Sequence, residues 1–156
     1  MNNEDEEILE EIEFPWLIFK LNNNLYTINS KIITSIVIKP DEITIVPNVS
    51  DFMTGLIHLR GNVVPLLDLK SLFKMSKKSV ENDDDKKEMV IVLERDNSFV
   101  GLVVDEVLSV EDITAFEETD EIKKMVEDGF VKGVAKGRKS ENVLLIIDEE
   151  KIMNIS

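Results

Sequence analysis

The one histidine of the chain, His58, stands two residues before Arg60 in the stretch Gly55-Leu-Ile-His-Leu-Arg-Gly-Asn-Val-Val-Pro-Leu-Leu-Asp-Leu69. An imidazole changes charge near neutral pH, and a guanidinium is a fixed cation with a planar fork of donors. As a polar pair in an all-β barrel they could serve a small-molecule-binding or enzymatic site, given a deep pocket beside them. Little else in the chain adds to a catalytic set. With no cysteine and a single histidine, a structural zinc site is excluded. There is no Gly-x-Ser-x-Gly nucleophile elbow. The six glycines (55, 61, 101, 129, 133 and 137) never fall in a dinucleotide or phosphate-loop spacing. Paired carboxylates abound, but a chain of net charge −14 is full of them, so they point nowhere. The residues read as those of a non-enzyme, with no cofactor and no metal.

The element that must position His58 and Arg60 is a β-hairpin. Two-residue alternation sets Ile57 and Leu59 on one face and His58 and Arg60 on the other, as in a half-buried strand. Gly61-Asn62 reads as the turn, because both residues tolerate positive φ, and Val63 to Leu69 reads as the returning strand. Pro65 cannot donate to a ladder, which predicts an edge, a bulge or a strand start there. Arg60 is then either a solvated arginine, an ion-pair partner of Asp68 or Asp105, or a recognition residue of a type enriched at interface hot spots.

Length and charge bound the rest. A chain of 156 residues suits one domain or two small subdomains sharing a core. Seven acids and no base lie in residues 1–13, and the remaining body carries −7. Both parts would be repelled by phosphate backbones and anionic lipid, so nucleic-acid binding and membrane insertion are disfavoured. No apolar run approaches ~18 residues, no secretory signal is apparent, and the absence of cysteine fits a reducing, cytoplasmic setting. Residues 1–13 read as a solvated, partly disordered acidic tail, or as a partner-docking segment through Ile8, Leu9 and Ile12.

From residue 14 onwards the pattern is one of many short strands with turns between them, the signature of an all-β sandwich or barrel. Trp16–Leu21 and Leu25–Ile28 form a hairpin about an asparagine turn. Ile32–Ile38 reads as strand or short buried helix, and Ile43–Val46 as another short strand. The charged stretch 74–88 reads as an exposed loop dividing the chain into two halves. Met89–Leu93, Ser98–Asp105, Val107–Val110, Phe130–Ala135 and Val143–Ile147 follow as strands. Short helices are predicted at 118–128, from Ile122, Met125 and Val126 at helical spacing, and at 148–155, with Asp148 as the N-cap. The two halves are similar in outline and suggest two barrels of comparable size.

The Gly55–Leu69 stretch closely resembles the signature of the CheW family, the coupling proteins of bacterial chemotaxis. Trp16–Leu21 with Tyr26 and Ile28, Val46-Pro47-Asn48, Val100-Gly-Leu-Val-Val-Asp105, Gly133-Val-Ala135 and Leu144–Asp148 match further family segments in order. The resemblance spans about residues 14–153. It implies two small five-stranded β-barrel subdomains, intertwined and packed around a shared apolar core. It implies a non-catalytic adaptor at cytoplasmic receptor arrays, coupling chemoreceptor cytoplasmic tips to the regulatory domain of the histidine kinase CheA; an adaptor of another receptor–kinase array fits equally. Gly55, Arg60, Gly61 and Val63 correspond to positions of the receptor-facing groove, Ile33 and Ile36 to apolar positions bordering it, and Gly101 and Asp105 to the second barrel's motif. His58, Ser35, Ser50 and Glu106 depart from the residues common there (Asn, Glu, Pro and Gly respectively).

Overall fold

The computed structural model describes residues 15–75, 86–115, 119–127, 129–138 and 142–155. The acidic tail 1–13, most of the charged loop and the two outermost residues of the 118–128 helix lie outside them. Eleven strands among the described residues form two sheets. The first has the order β8-β1-β2-β11-β10-β9, with β1 Trp16–Leu21, β2 Asn24–Asn29, β8 Glu106–Glu111, β9 Ile113–Ala115, β10 Val131–Gly137 and β11 Val143–Ile147. The second has the order β3-β6-β7-β5-β4, with β3 Ile33–Ile38, β4 Met53–Leu59, β5 Asn62–Asp68, β6 Met89–Arg95 and β7 Ser98–Val104. Among the described residues there are three short α-helices: α1 Leu69–Leu72, α2 Asp120–Glu127 and α3 Glu149–Ile155. The chain is thus mostly β, in two subdomains of six and five strands, with the helices near 120 and at residues 149–155 where periodicity put them.

The hairpins follow from residues that accept left-handed backbone. Asn22 (φ 54°) turns β1 into β2, and Asp96 and Asn97 (φ 51° and 66°) turn β6 into β7. Asp68 ends β5 by capping α1, accepting the Lys70 amide at 3.1 Å and the Ser71 hydroxyl at 3.1 Å. Leu69, expected as the last residue of the strand, is therefore helical, and the strand ends one residue earlier at Asp68. Asp148 caps α3 through the Lys151 amide at 3.2 Å, as expected.

Each sheet is brought round by a bent segment. The chain turns at Asp112 so that β8 pairs with β1 while β9 pairs with β10, and Arg138 ties the corner through the Asp112 carbonyl and carboxylate. In the second sheet the chain beyond β3 reaches β4 through one bridge, Thr44 to Leu56, with backbone hydrogen bonds of 2.9 and 2.8 Å. The strand expected at Ile43–Val46 is therefore reduced to this single bridge, and β9 is a strand the apolar pattern did not announce. Gly55 permits the bridge: it is buried at φ +152°, and a Cβ there would lie 2.5 Å from both Ile43 Cγ2 and the Thr44 carbonyl oxygen. Leu56 spends both backbone groups on Thr44, so its partner Pro65 exchanges no bond with it, and pairing of β5 with β7 starts only at Leu66. The donor that Pro65 lacks falls where neither ladder needs one.

The charged loop does not separate the subdomains. β5 precedes it, β6 follows it, and both belong to the second sheet; the first sheet takes β1 and β2 from before and β8 to β11 from after. Composition marks where chain is exposed, whereas sheet membership is decided by long-range pairing, which composition does not carry. Two apolar clusters result. One lies between the sheets, with Leu17, Phe19, Leu21 and Ile28 from the first against Leu67, Ile91, Leu93 and Leu102 from the second. The other fills the second barrel with Ile57, Val64, Leu66, Val90, Val92 and Val103. A row of rings, Phe19, Tyr26, Phe73 and Phe130, runs through the first cluster with centroids 5.5 to 6.0 Å apart.

Gly101 faces the second cluster, where a Cβ would fall 2.6 Å from Leu66 Cδ2 and 2.8 Å from Val90 Cγ1. Gly101→Ala should lower stability by about 1–3 kcal/mol, read as a lower urea midpoint at unchanged slope. Burial holds the Tyr26 phenol above its ordinary value of 10.0. The folded state thus keeps that proton after the unfolded chain has lost it, and stability should fall as pH rises beyond the ordinary value. Denaturant titrations across that range should show a weaker pH dependence for Tyr26→Phe.

Candidate functional site

The hairpin β4–β5 turns at Arg60 and Gly61, not at Gly61 and Asn62. Asn62 already pairs with Leu59, and both turn residues have positive φ, 51° for Arg60 and 84° for Gly61. That is the geometry of a type I′ turn, whose twist matches that of the strands it joins. Glycine accepts it freely. An arginine in the left-handed region costs about 1–2 kcal/mol, so the fold holds Arg60 at the tip against its local preference. The side chain is exposed and makes no ion pair among the described residues. Both carboxylates that were candidate partners are engaged elsewhere: Asp68 caps α1, and Asp105 pairs with Lys70 at 2.6 Å.

Beside the turn lies a cleft of about 170 Å³. Arg60, Asn62, Thr34, Ser35 and Glu94 line it with polar groups, over an apolar floor that includes Val92 and Phe99. The register explains the company. Ile33 pairs with Leu93, Arg95 with Ser98, and β5 runs parallel to β7, so the start of β3, the β6–β7 turn and the Arg60 hairpin share one end of the sheet. His58 does not line this cleft. It is exposed opposite Val63, on the outer face of the hairpin. The deep pocket that the alternative small-molecule reading of His58 and Arg60 would require is not this cleft, which His58 does not line and which is smaller than the roughly 300–1,000 Å³ typical of small-molecule sites.

The residues assigned to the groove divide by position. Arg60, Gly61 and Val63 are exposed at the hairpin, Val63 at 60% of its free surface. Ile33 is half-buried against the cluster between the sheets, and Ile36 is 40% exposed midway along β3. Gly55 is no surface residue: it lies beneath Ile43 and Thr44 because the bridge to Leu56 needs the space. Gly101 is likewise a packing position. Asp105 sits where the chain leaves the second sheet for the first, joined to Lys70 and to the Asn22 amide. Of the residues that depart from the common pattern, Ser35 lines the Arg60 cleft, and Glu106 is exposed at the start of β8. The sequence did not point to Thr34, Glu94 or Phe99, since strand pairing alone brings them to Arg60.

Among the described residues no group of three or more side chains is arranged to hold a metal ion, and no helix is long and apolar enough to cross a membrane.

The family model for the CheW-like domain matches residues 15–156. The chain is 31% identical over 147 residues to the chemotaxis protein CheW of Klebsiella aerogenes, a match covering 93% of this chain and 84% of that one. It is 31% identical over 140 residues to the chemotaxis protein CheW of Bacillus subtilis, covering 88% and 85%. Among solved structures, the scaffolding protein TtCheW from Thermoanaerobacter tengcongensis aligns with a TM-score of 0.67 at 26% identity, over 86% of this chain and 88% of that one.

The turn geometry makes a paired prediction. Nothing lies within 4 Å of a Cβ placed on Gly61, so Gly61→Val should destabilise through φ alone, by about 1–2 kcal/mol. Arg60→Gly should leave stability within about 1 kcal/mol of the parent, because relief of strain offsets the added freedom of the unfolded chain. Parallel urea melts of the two variants check both.

Proposed function

The chain belongs to the family of CheW-like domains, and from that premise we propose that it is a chemotaxis coupling adaptor joining chemoreceptor cytoplasmic tips to the histidine kinase CheA. Family membership makes it a scaffold and not a catalyst. The observation that carries the reading to a particular surface is Arg60: a cation in a left-handed turn, exposed, and without an ion-pair partner among the described residues. Strain kept at an exposed tip favours a role outside folding, because the fold itself gains nothing from an arginine there.

The receptor contact proposed is a helix laid in a groove, with apolar side chains such as Ile36 and Val63 taking the apolar face of the receptor's helical tip. Arg60 fixes its register, as a fork of donors on a stiff two-stranded base. The kinase contact is proposed to involve the regulatory domain of CheA.

Calorimetric titration of the purified chain against the isolated regulatory domain of a CheA from the same cell tests the adaptor reading. Saturable one-to-one binding is expected; none at high concentration would overturn it. For the receptor contact, Arg60→Ala should keep stability within about 0.5 kcal/mol and weaken binding of the receptor tip about tenfold or more. A large fall in Tm for that variant would instead make Arg60 a structural residue.

A further inference from the structure

The chain passes between the two sheets at two places, and they are built differently. Between β2 and β3 it makes a short 3-10 turn, Ser30–Ile32, capped locally by the Asn29 side chain on the Lys31 amide. Between β7 and β8 a single residue, Asp105, makes the passage. Its amide donates to the Lys20 carbonyl at 3.1 Å, and its Oδ2 accepts the Asn22 amide at 2.6 Å, both on the β1–β2 hairpin of the first sheet. Its Oδ1 meets Lys70 Nζ at 2.6 Å, and Lys70 belongs to α1, which follows β5 of the second sheet. The two side chains are 18% and 12% exposed, so solvent and salt screen this pair less than a surface pair. Among the described residues the other ionic contact that reaches across, Arg95 of β6 to Glu150 of α3, is longer and more exposed.

We infer that Asp105 and Lys70 are positioning residues: together they set the angle between the two sheets, and with it the bearing of the Arg60 hairpin relative to the first sheet. The hydrophobic effect that buries the cluster between the sheets is not itself directional. A charged pair plus one backbone and one side-chain hydrogen bond to the β1–β2 hairpin, at a one-residue passage, is directional and fixes one setting. A partner that touches both subdomains would then meet a preformed surface. This last step rests on the adaptor reading. The setting of the sheets does not.

Because the chain has no cysteine, Ser98→Cys in β7 and Thr114→Cys in β9 place one spin label on each sheet at exposed positions. Double electron–electron resonance on the full chain should give a narrow distance distribution. Asp105→Ala should broaden or shift it most. Asp105→Asn keeps an acceptor for the Asn22 amide but loses the charge, and Lys70→Met removes only the cation; both should fall between. Val134→Ala, a buried truncation within the first sheet, should lower Tm and leave the distribution narrow. A narrow distribution in the Asp105 and Lys70 variants, or equal broadening in Val134→Ala, would overturn the positioning role. If Asp105→Ala does not fold, Lys70→Met decides by the same criterion. Lys70→Met should also weaken binding of the receptor tip or the CheA regulatory domain at least threefold. Broadening with both affinities unchanged would overturn the link to coupling while leaving the adaptor reading intact.

Discussion

Two small barrels can share a core and still keep an interior of their own only where the strands between are apolar on both faces, and the rest of this structure depends on that condition. β6 and β7 meet it. Ile91, Leu93, Val100, Leu102 and Val104 face the first sheet, while Val90, Val92 and Val103 fill the barrel behind them. The near-continuous apolar runs of these strands are the direct record of double burial. Where burial is one-sided the pattern relaxes to alternation, as in the hairpin that carries His58 outward and Ile57 inward. The Arg60 turn is thus an exposed tip on the one-sided end of a strand pair, whose far end is anchored on both faces through Leu66 and Leu67 of β5.

What could be read beforehand was what is local. The β1–β2 and β6–β7 turns, the caps at Asp148 and the strands at Met89 and Val143 depend on neighbouring residues, and they stand where alternation and turn chemistry put them. The turn of the central hairpin was displaced by one residue. Arginine is a poor signal for left-handed backbone, and only the pairing of Leu59 with Asn62 reveals that Arg60 has left the strand. The bridge at Thr44 and the short β9 were equally hidden, since each is defined by a distant partner and not by its own apolar pattern.

The candidate site shows the same division. Arg60 was legible as an outward-facing residue of a hairpin, and Val63 was reached through the family resemblance. The company of Ser35, Glu94 and Phe99 was not, because three strands remote in sequence have to be brought to one end of a sheet before those side chains meet. Gly55 and Gly101 were found by motif, and their physical role is close packing: each leaves room that a methyl group would occupy. A motif can therefore mix residues that a partner touches with residues that only shape the scaffold, and accessibility tells them apart.

The interleaving of the sheets also orders events during synthesis. Every strand of the second sheet lies between residues 33 and 104, so that subdomain has all its pairings available once Val104 has emerged from the ribosome. The first sheet must wait, because β2 takes β11 as its parallel neighbour, with Tyr26 opposite Leu145. Until then the β1–β2 hairpin can lean only on the completed second barrel and on β8, leaving the β2 edge and apolar side chains exposed to whatever else is in the cell. Such late, long-range closure slows folding and lengthens the interval of vulnerability to aggregation. The tie from Asn22 to Asp105 spans that interval: both partners have been made before the closing strand, so the early hairpin has a mooring while it waits.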